Sequence, residues 1–445
     1  LDAANMFQRA VGAEHGLDPC EVDALAGEIR RHRATLAAMR GKELGFMDLP
    51  YDRSLAESVL QKAAELRSWC ANFVVLGIGG SALGNAAIHA ALQHPHHNLL
   101  PAGHPARKGA PRIFIADNVD PSGMRALADL LQEGVSQTAF NVITKSGSTA
   151  ETMSQFLFFR DLLRRTGGCE PARQIIVTTD PRRESSLLRQ IAEAEGYHAF
   201  PIPPNVGGRF SVLSAVGLLS AAVGGLDIRA LLAGAAAMDA RCRSDELPEN
   251  PAALYASLLY LEYRKGKHIC VLMPYSERLR ALGYWYCQLW AESLGKRHGL
   301  RQKDIFGGPT PVASVGVTDQ HSVMQLYQDG PFDKVITLIE LDSAAAVPLP
   351  ICVGEAEPEL GYLARHSFDD LFHAELSATR MALCDKHRPN CTIRVPRVDE
   401  RSLGELFMFF EYAAAYSGLL YGVNAYDQPG VELGKHYTIK LLGGG

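Results

Sequence analysis

Apolar positions along this chain alternate between two rhythms. Leu55, Val59, Leu60, Ala63 and Leu66 recur at helical spacing, which predicts a helix from Ser54 to Cys70. The run from Asn72 to Ile78 is short and unbroken, as a strand buried on both faces is. A glycine turn and a helix from Ser81 to Leu92 follow. Strands are then predicted at Arg112 to Ala116, Phe140 to Thr144, Gln174 to Thr178 and His198 to Ile202. Between them lie a helix starting near Pro121 and helices over Glu151 to Arg165 and Arg183 to Ala194. Repeated strand-then-helix order predicts an α/β fold, a mainly parallel sheet flanked by helices in three layers. The apolar stretch from Phe210 to Leu226 carries serines and glycines and is shorter than the ~20 apolar residues of a membrane span. It reads as a buried core helix.

The alternation restarts after Gly224-Gly225. Asp227 can cap a helix running to Cys242. Strands are predicted at His268 to Met273, Val335 to Leu341 and Cys391 to Val395, with helices over Arg278 to Leu294, Phe368 to Asp385 and Ser402 to Leu420. Residues 1–50 read as helical. The expected organisation is a smaller α/β domain over 55–225 and a larger one formed by 1–54 and 226–445, ending in a C-terminal helix.

Composition narrows the function. With 47% hydrophobic and 21% charged residues, the 445-residue chain can bury large cores. A formal charge of -5 with no long basic run argues against nucleic acid as a partner, and nothing in the chain reads as a membrane anchor. An anionic ligand must therefore be held by local cations and backbone amides. The 9 cysteines, an odd number without Cys-x-x-Cys spacing, fit free thiols in a reducing compartment, and a cytoplasmic location is expected. His94, His96, His97 and His104 surround Pro95 in what reads as a solvated loop, and no metal site or cofactor is expected.

Three turns carry candidate chemistry. Gly77-Ile78-Gly79-Gly80-Ser81 lies between a strand and a helix, where glycines admit a ligand to the backbone and the helix start attracts anions. Thr144-Lys145-Ser146-Gly147-Ser148-Thr149 holds the same position after another strand, with Glu151 in the next turn. Its hydroxyls and lysine suit phosphate oxygens. Neither turn has the spacing of a nucleotide-binding loop, which favours a phosphate monoester over a nucleotide. Gly207-Gly208-Arg209 places a permanent cation after two glycines, suited to a developing oxyanion.

The stretch from Asn205 to Ala215, including Gly208-Arg209-Phe210-Ser211, resembles one signature of the glucose-6-phosphate isomerase family. The tail from Gly422 to Lys435, including Asp427-Gln428-Pro429-Gly430-Val431-Glu432, resembles the other. The likeness runs from about Gly45 to Leu441, and the length resembles the shorter bacterial forms. It implies two sugar-isomerase-type domains and interconversion of glucose 6-phosphate and fructose 6-phosphate without a cofactor. By the same resemblance, Glu292 in Ala291-Glu292-Ser293-Leu294-Gly295-Lys296 is the proton carrier. His321 in Asp319-Gln320-His321-Ser322 opens the sugar ring with Lys435, and Arg209 steadies the enediolate. Gly80, Ser81, Thr144, Lys145, Ser146, Thr149, Glu151, Gly208 and Gln428 are the implied substrate contacts. The family resemblance also implies a homodimer with shared sites and His321 supplied by the neighbour. A dual isomerase accepting mannose 6-phosphate and a non-catalytic sugar-phosphate regulator are the alternatives. The regulator would need the phosphate turns but not Glu292, Arg209, His321 and Lys435 together.

Residue chemistry agrees with that implication. Moving hydrogen between C1 and C2 through an enediol needs one base that returns what it takes. Positioned base catalysis supplies ~10²–10⁴ in rate, so the anion must also be stabilised by charge.

Overall fold

A computed structural model describes residues 1–342, 347–354 and 356–443. Five strands, β1 (Asn72–Leu76), β2 (Arg112–Ala116), β3 (Thr138–Ile143), β4 (Ile175–Thr179) and β5 (His198–Pro201), form an all-parallel sheet in the order β2-β1-β3-β4-β5. Strand β1 is an interior strand, with Val74 opposite Phe114 on one side and Phe140 on the other. All five of its residues are buried, which is why the sequence there shows no polar alternation. The order of connection reverses between β1 and β3. In open parallel sheets that reversal leaves a crevice at the carboxyl ends of the strands.

The second sheet contains β6 (Ile269–Pro274), β9 (Thr310–Ala313), β10 (Lys334–Leu341) and β11 (Asn390–Val395), in the order β11-β10-β6-β9, again all parallel. Strands β7 (Lys296–His298) and β8 (Asp304–Gly307) make a separate antiparallel pair. The α/β architecture with two helix-flanked parallel sheets is as the sequence predicts. Strand β9 and the β7–β8 pair went unread. Pro311 lies within β9, which is tolerated because β9 is an edge strand. The helix Pro251–Arg264, started by the Asn250 cap, was also unread because it is apolar on nearly every face. The expected core helix exists as Ala215–Val223, every residue of it buried.

Packing joins the two sheets. One face of the first sheet, through Val74, Phe140 and Val177, meets Phe156, Phe159 and Leu163 of the helix Ala150–Arg165 and Leu188 of the helix Leu187–Glu195. The opposite face, through Phe73, Val75 and Ile176, belongs to a core that continues into the helices Arg280–Leu294 and Glu400–Leu420. Burying each such aromatic side chain is worth ~1.5–3 kcal/mol. The shared core holds the carboxyl ends of β1 and β3 against the end of the helix Arg280–Leu294. Among the described residues no helix is long and apolar enough to cross a membrane.

Candidate active site

The turns that follow β1 and β3 open into one cleft of about 680 Å³. Gly79 has φ +57, and a Cβ on Gly80 would lie 2.3 Å from the backbone of Gly208. Two glycine turns therefore touch directly, and this contact sets where the following Arg209 stands. Two of the helices that start here lack a side-chain cap. Thr149 precedes the helix Ala150–Arg165 but makes no capping bond, because its hydroxyl pairs with that of Thr144 at 2.8 Å. Ala82, at the start of Leu83–Leu92, has no side chain that could cap. Elsewhere Asp227, Asn250 and Asp399 cap their helices. The two uncapped helix starts border the cleft and leave backbone N–H groups for an anion.

Lys145 lines the cleft and also braces it. Its ammonium donates to the carbonyls of Pro204 (2.8 Å) and Val206 (2.9 Å), tying the hydroxyl turn to the loop that carries Arg209. Burial lowers its pKa, and Asp180 opposes the shift. Ser146 accepts from the backbone N–H of Ser148 at 3.3 Å, and Gly147 turns the chain at φ +66.

Arg209 is almost completely buried. Its Nε donates to Ser293 (2.8 Å), Nη1 to Glu292 Oε2 (3.2 Å) and Gln428 Oε1 (3.0 Å), and Nη2 to the carbonyls of Ala425 and Asp427. Burial lowers its pKa and the Glu292 carboxylate opposes that shift. Arginine keeps its charge in such a setting, so the site holds a fixed cation oriented by carbonyls. The Glu292 side chain is 32% exposed, and its Oε1 accepts from Gln288 at 3.0 Å. One carboxylate oxygen thus faces the guanidinium and the other an amide, while the group stays open to the cleft.

Gly80, Ser81, Thr144, Lys145, Ser146, Thr149, Glu151, Gly208, Arg209, Glu292, Gln428 and Lys435 all line this cleft. His321 does not. It ends the short turn Thr318–His321 and is exposed. Lys435 stands on the helix Glu432–Leu441, which buries none of its residues, and pairs with Glu432 at 2.7 Å.

Several residues escaped the sequence reading. Gln288 lies one helical turn before Glu292, a spacing that could have revealed it. Lys296 is buried and donates to the carbonyl of Glu292 (2.7 Å) and to that of Asp427, whose carboxylate is 3.1 Å away. Asp180, Arg182 and Ser185, on the turn after β4, also line the cleft. Among the described residues no group of three or more His, Cys, Asp or Glu side chains is arranged to hold a metal ion.

The chain is similar to known proteins over most of its length. The profile of the phosphoglucose isomerase family matches residues 63–347 and 366–442. A glucose-6-phosphate isomerase of Carboxydothermus hydrogenoformans is 42% identical over 452 residues, covering 100% of this chain and 94% of its own. One from Rubrobacter xylanophilus is 42% identical over 445 residues, with 98% and 97% covered. The crystal structure of a hypothetical protein from Thermus thermophilus superposes with a TM-score of 0.87 at 34% identity, covering 100% of this chain and 99% of that one. A glucose-6-phosphate isomerase structure from Chlamydia trachomatis shares the fold, with a TM-score of 0.80 at 24% identity and 96% and 86% covered. Matched over most of its length and by relatives of nearly equal size, the chain belongs to the phosphoglucose isomerase family.

Proposed function

We infer that the chain interconverts glucose 6-phosphate and fructose 6-phosphate, with Glu292 as the base that carries a proton between C2 and C1. The observation that supports this most is the 3.2 Å pairing of Glu292 with the buried Arg209, in the cleft that also holds both hydroxyl turns. Glu292 takes the C2 proton of the open aldose, the electron pair forms the enediolate, the hydroxyl proton passes from O2 to O1, and the same carboxyl returns its proton to C1 as O2 becomes the carbonyl oxygen. Substrate and product are isomers, so no oxidant or reductant enters. Arg209, held by its five donated hydrogen bonds, supplies a fixed positive charge beside the developing oxyanion. Ser81, Thr144, Ser146 and Thr149, with the N–H groups of the uncapped helix starts, hold the phosphate. Lys145 acts there chiefly by fixing the turn. On this reading the unit over 55–225 supplies the phosphate turns and Arg209, and the rest of the chain supplies the base.

Ring opening falls to His321 and Lys435, with His321 reaching the cleft from a second copy of the chain. Two features support a homodimer: His321 is exposed outside its own cleft, and Leu433, Ile439 and Leu441 are uncovered on the C-terminal helix. Large apolar side chains exposed together on one element mark an interface.

The test is a coupled assay with fructose 6-phosphate, followed by co-expression of Glu292→Gln and His321→Ala chains. Each variant alone is expected to be nearly inactive, while mixed dimers regain turnover at the one site that combines the intact halves. No recovery in isolated mixed dimers would refute the shared site. Substantial turnover by Glu292→Gln alone would refute its role as base.

A further inference from the structure

We propose that Arg182 is a binding residue of the phosphate subsite, placed on a third strand-end turn and sensitive to the phosphate's charge. The proposal rests on the isomerase reading above and deepens it by naming the group that distinguishes a dianionic from a monoanionic phosphate ester.

The turn after β4 is built into the one after β3. The Thr179 hydroxyl donates to the Thr144 carbonyl at 2.6 Å and lies 2.6 Å from the Ser186 hydroxyl. The Asp180 N–H donates to the Lys145 carbonyl at 3.3 Å. A Cβ on Gly147 would lie 2.4 Å from Ser186 Oγ, so the two turns are in van der Waals contact where the chain bends. Arg182 and Asp180 line the same cleft as Ser81 and Thr149.

Within that turn the guanidinium is held in a fixed plane. Arg182 Nε donates to Asp180 Oδ1 at 3.0 Å and Nη2 to Oδ2 at 2.8 Å, while the Arg182 backbone N–H donates to Oδ1 at 2.9 Å. The pair is unequally exposed: the Asp180 side chain is 3% accessible and that of Arg182 51%. What the cleft meets is therefore the cation. Nη1 makes no hydrogen bond among the described residues. The neighbouring Lys145 already donates to two carbonyls. Hydroxyls and amides bind a phosphate in either charge state, whereas a guanidinium fork strengthens its hold as the second negative charge appears.

The experiment measures KM and kcat for fructose 6-phosphate between pH 5.5 and 8. It uses the full chain, Arg182→Met, Arg182→Lys and the double variant Asp180→Asn/Arg182→Met. A phosphate ester loses its second proton near pH 6. Arg182→Met is expected to raise KM about tenfold at pH 8 and clearly less at pH 5.5, with kcat within about twofold. Arg182→Lys should recover part of the loss. The double variant should match Arg182→Met, since it leaves no unpaired carboxylate; it also decides the matter if the single variant does not fold. An unchanged KM at pH 8, a KM rise equal at both pH values, or a normal KM in the double variant would each overturn the proposal. Absence of turnover in the unmodified chain would overturn the isomerase reading instead.

Discussion

The two parallel sheets share an architecture and differ in what their strand ends carry. In the first, β1, β3 and β4 end in turns rich in glycine, hydroxyls and charge that open into the cleft. In the second, β6 ends in Pro274 and the buried Tyr275, whose hydroxyl lies 3.0 Å from Gln320 Oε1 and 2.7 Å from Thr379 Oγ1. That second set of contacts closes the structure where the first opens it. The larger region contributes chemistry from a different place, the last turn of the helix Arg280–Leu294, where Glu292 projects across to the first sheet. The same fold element can thus be a binding site or a brace, and the residues at the strand end decide which.

The largest expected way to break this contrast is at the contact of the two glycine turns. Gly80→Val must displace the Gly208 backbone, and with it Arg209. Turnover should fall about a hundredfold while the protein stays folded, since a shift of ~1 Å at a reacting group has that effect. Normal turnover would mean that the turns do not position the guanidinium. A smaller effect is expected from Thr144→Val, which removes the 2.8 Å bond to Thr149. KM for fructose 6-phosphate should rise about tenfold with little change in kcat. A loss confined to kcat would place Thr144 in the chemistry and not in phosphate binding. The smallest effect is expected from Tyr275→Phe in the second sheet. It should lower stability by ~1–2 kcal/mol in denaturant unfolding, because Thr379 and Gln320 lose a partner, and leave KM unchanged. A raised KM there would show that the second sheet's strand ends also serve the ligand.

Much of this was legible in the sequence, for identifiable reasons. Strands such as Asn72–Leu76 are unbroken apolar runs, and the turns after them are punctuated by glycine. The cleft residues Ser81, Thr144 and Thr149 stood out because their turns follow strands directly, and Arg209 because two glycines precede it. What could not be read depends on distance through space. Nothing in the chain says that Lys145 reaches Pro204 and Val206, or that Lys296 anchors the carbonyl of the residue four before it. The turn Asp180 to Ser185 was passed over because the helix was expected from Arg183. It begins at Leu187, where Ser186 caps it, and the intervening residues form a short 3-10 turn beside the cleft.

The bridge from Lys145 to the carbonyls of Pro204 and Val206 has a consequence for substrates lacking a phosphate. It makes the phosphate a handle: whatever grips the hydroxyl turn also pulls on the segment leading to Arg209. Attraction at the unreactive end of the sugar can then be used to align the reactive end. Unphosphorylated fructose should therefore turn over more slowly at saturation, and not merely bind more weakly. Adding free inorganic phosphate alongside it should restore part of that rate.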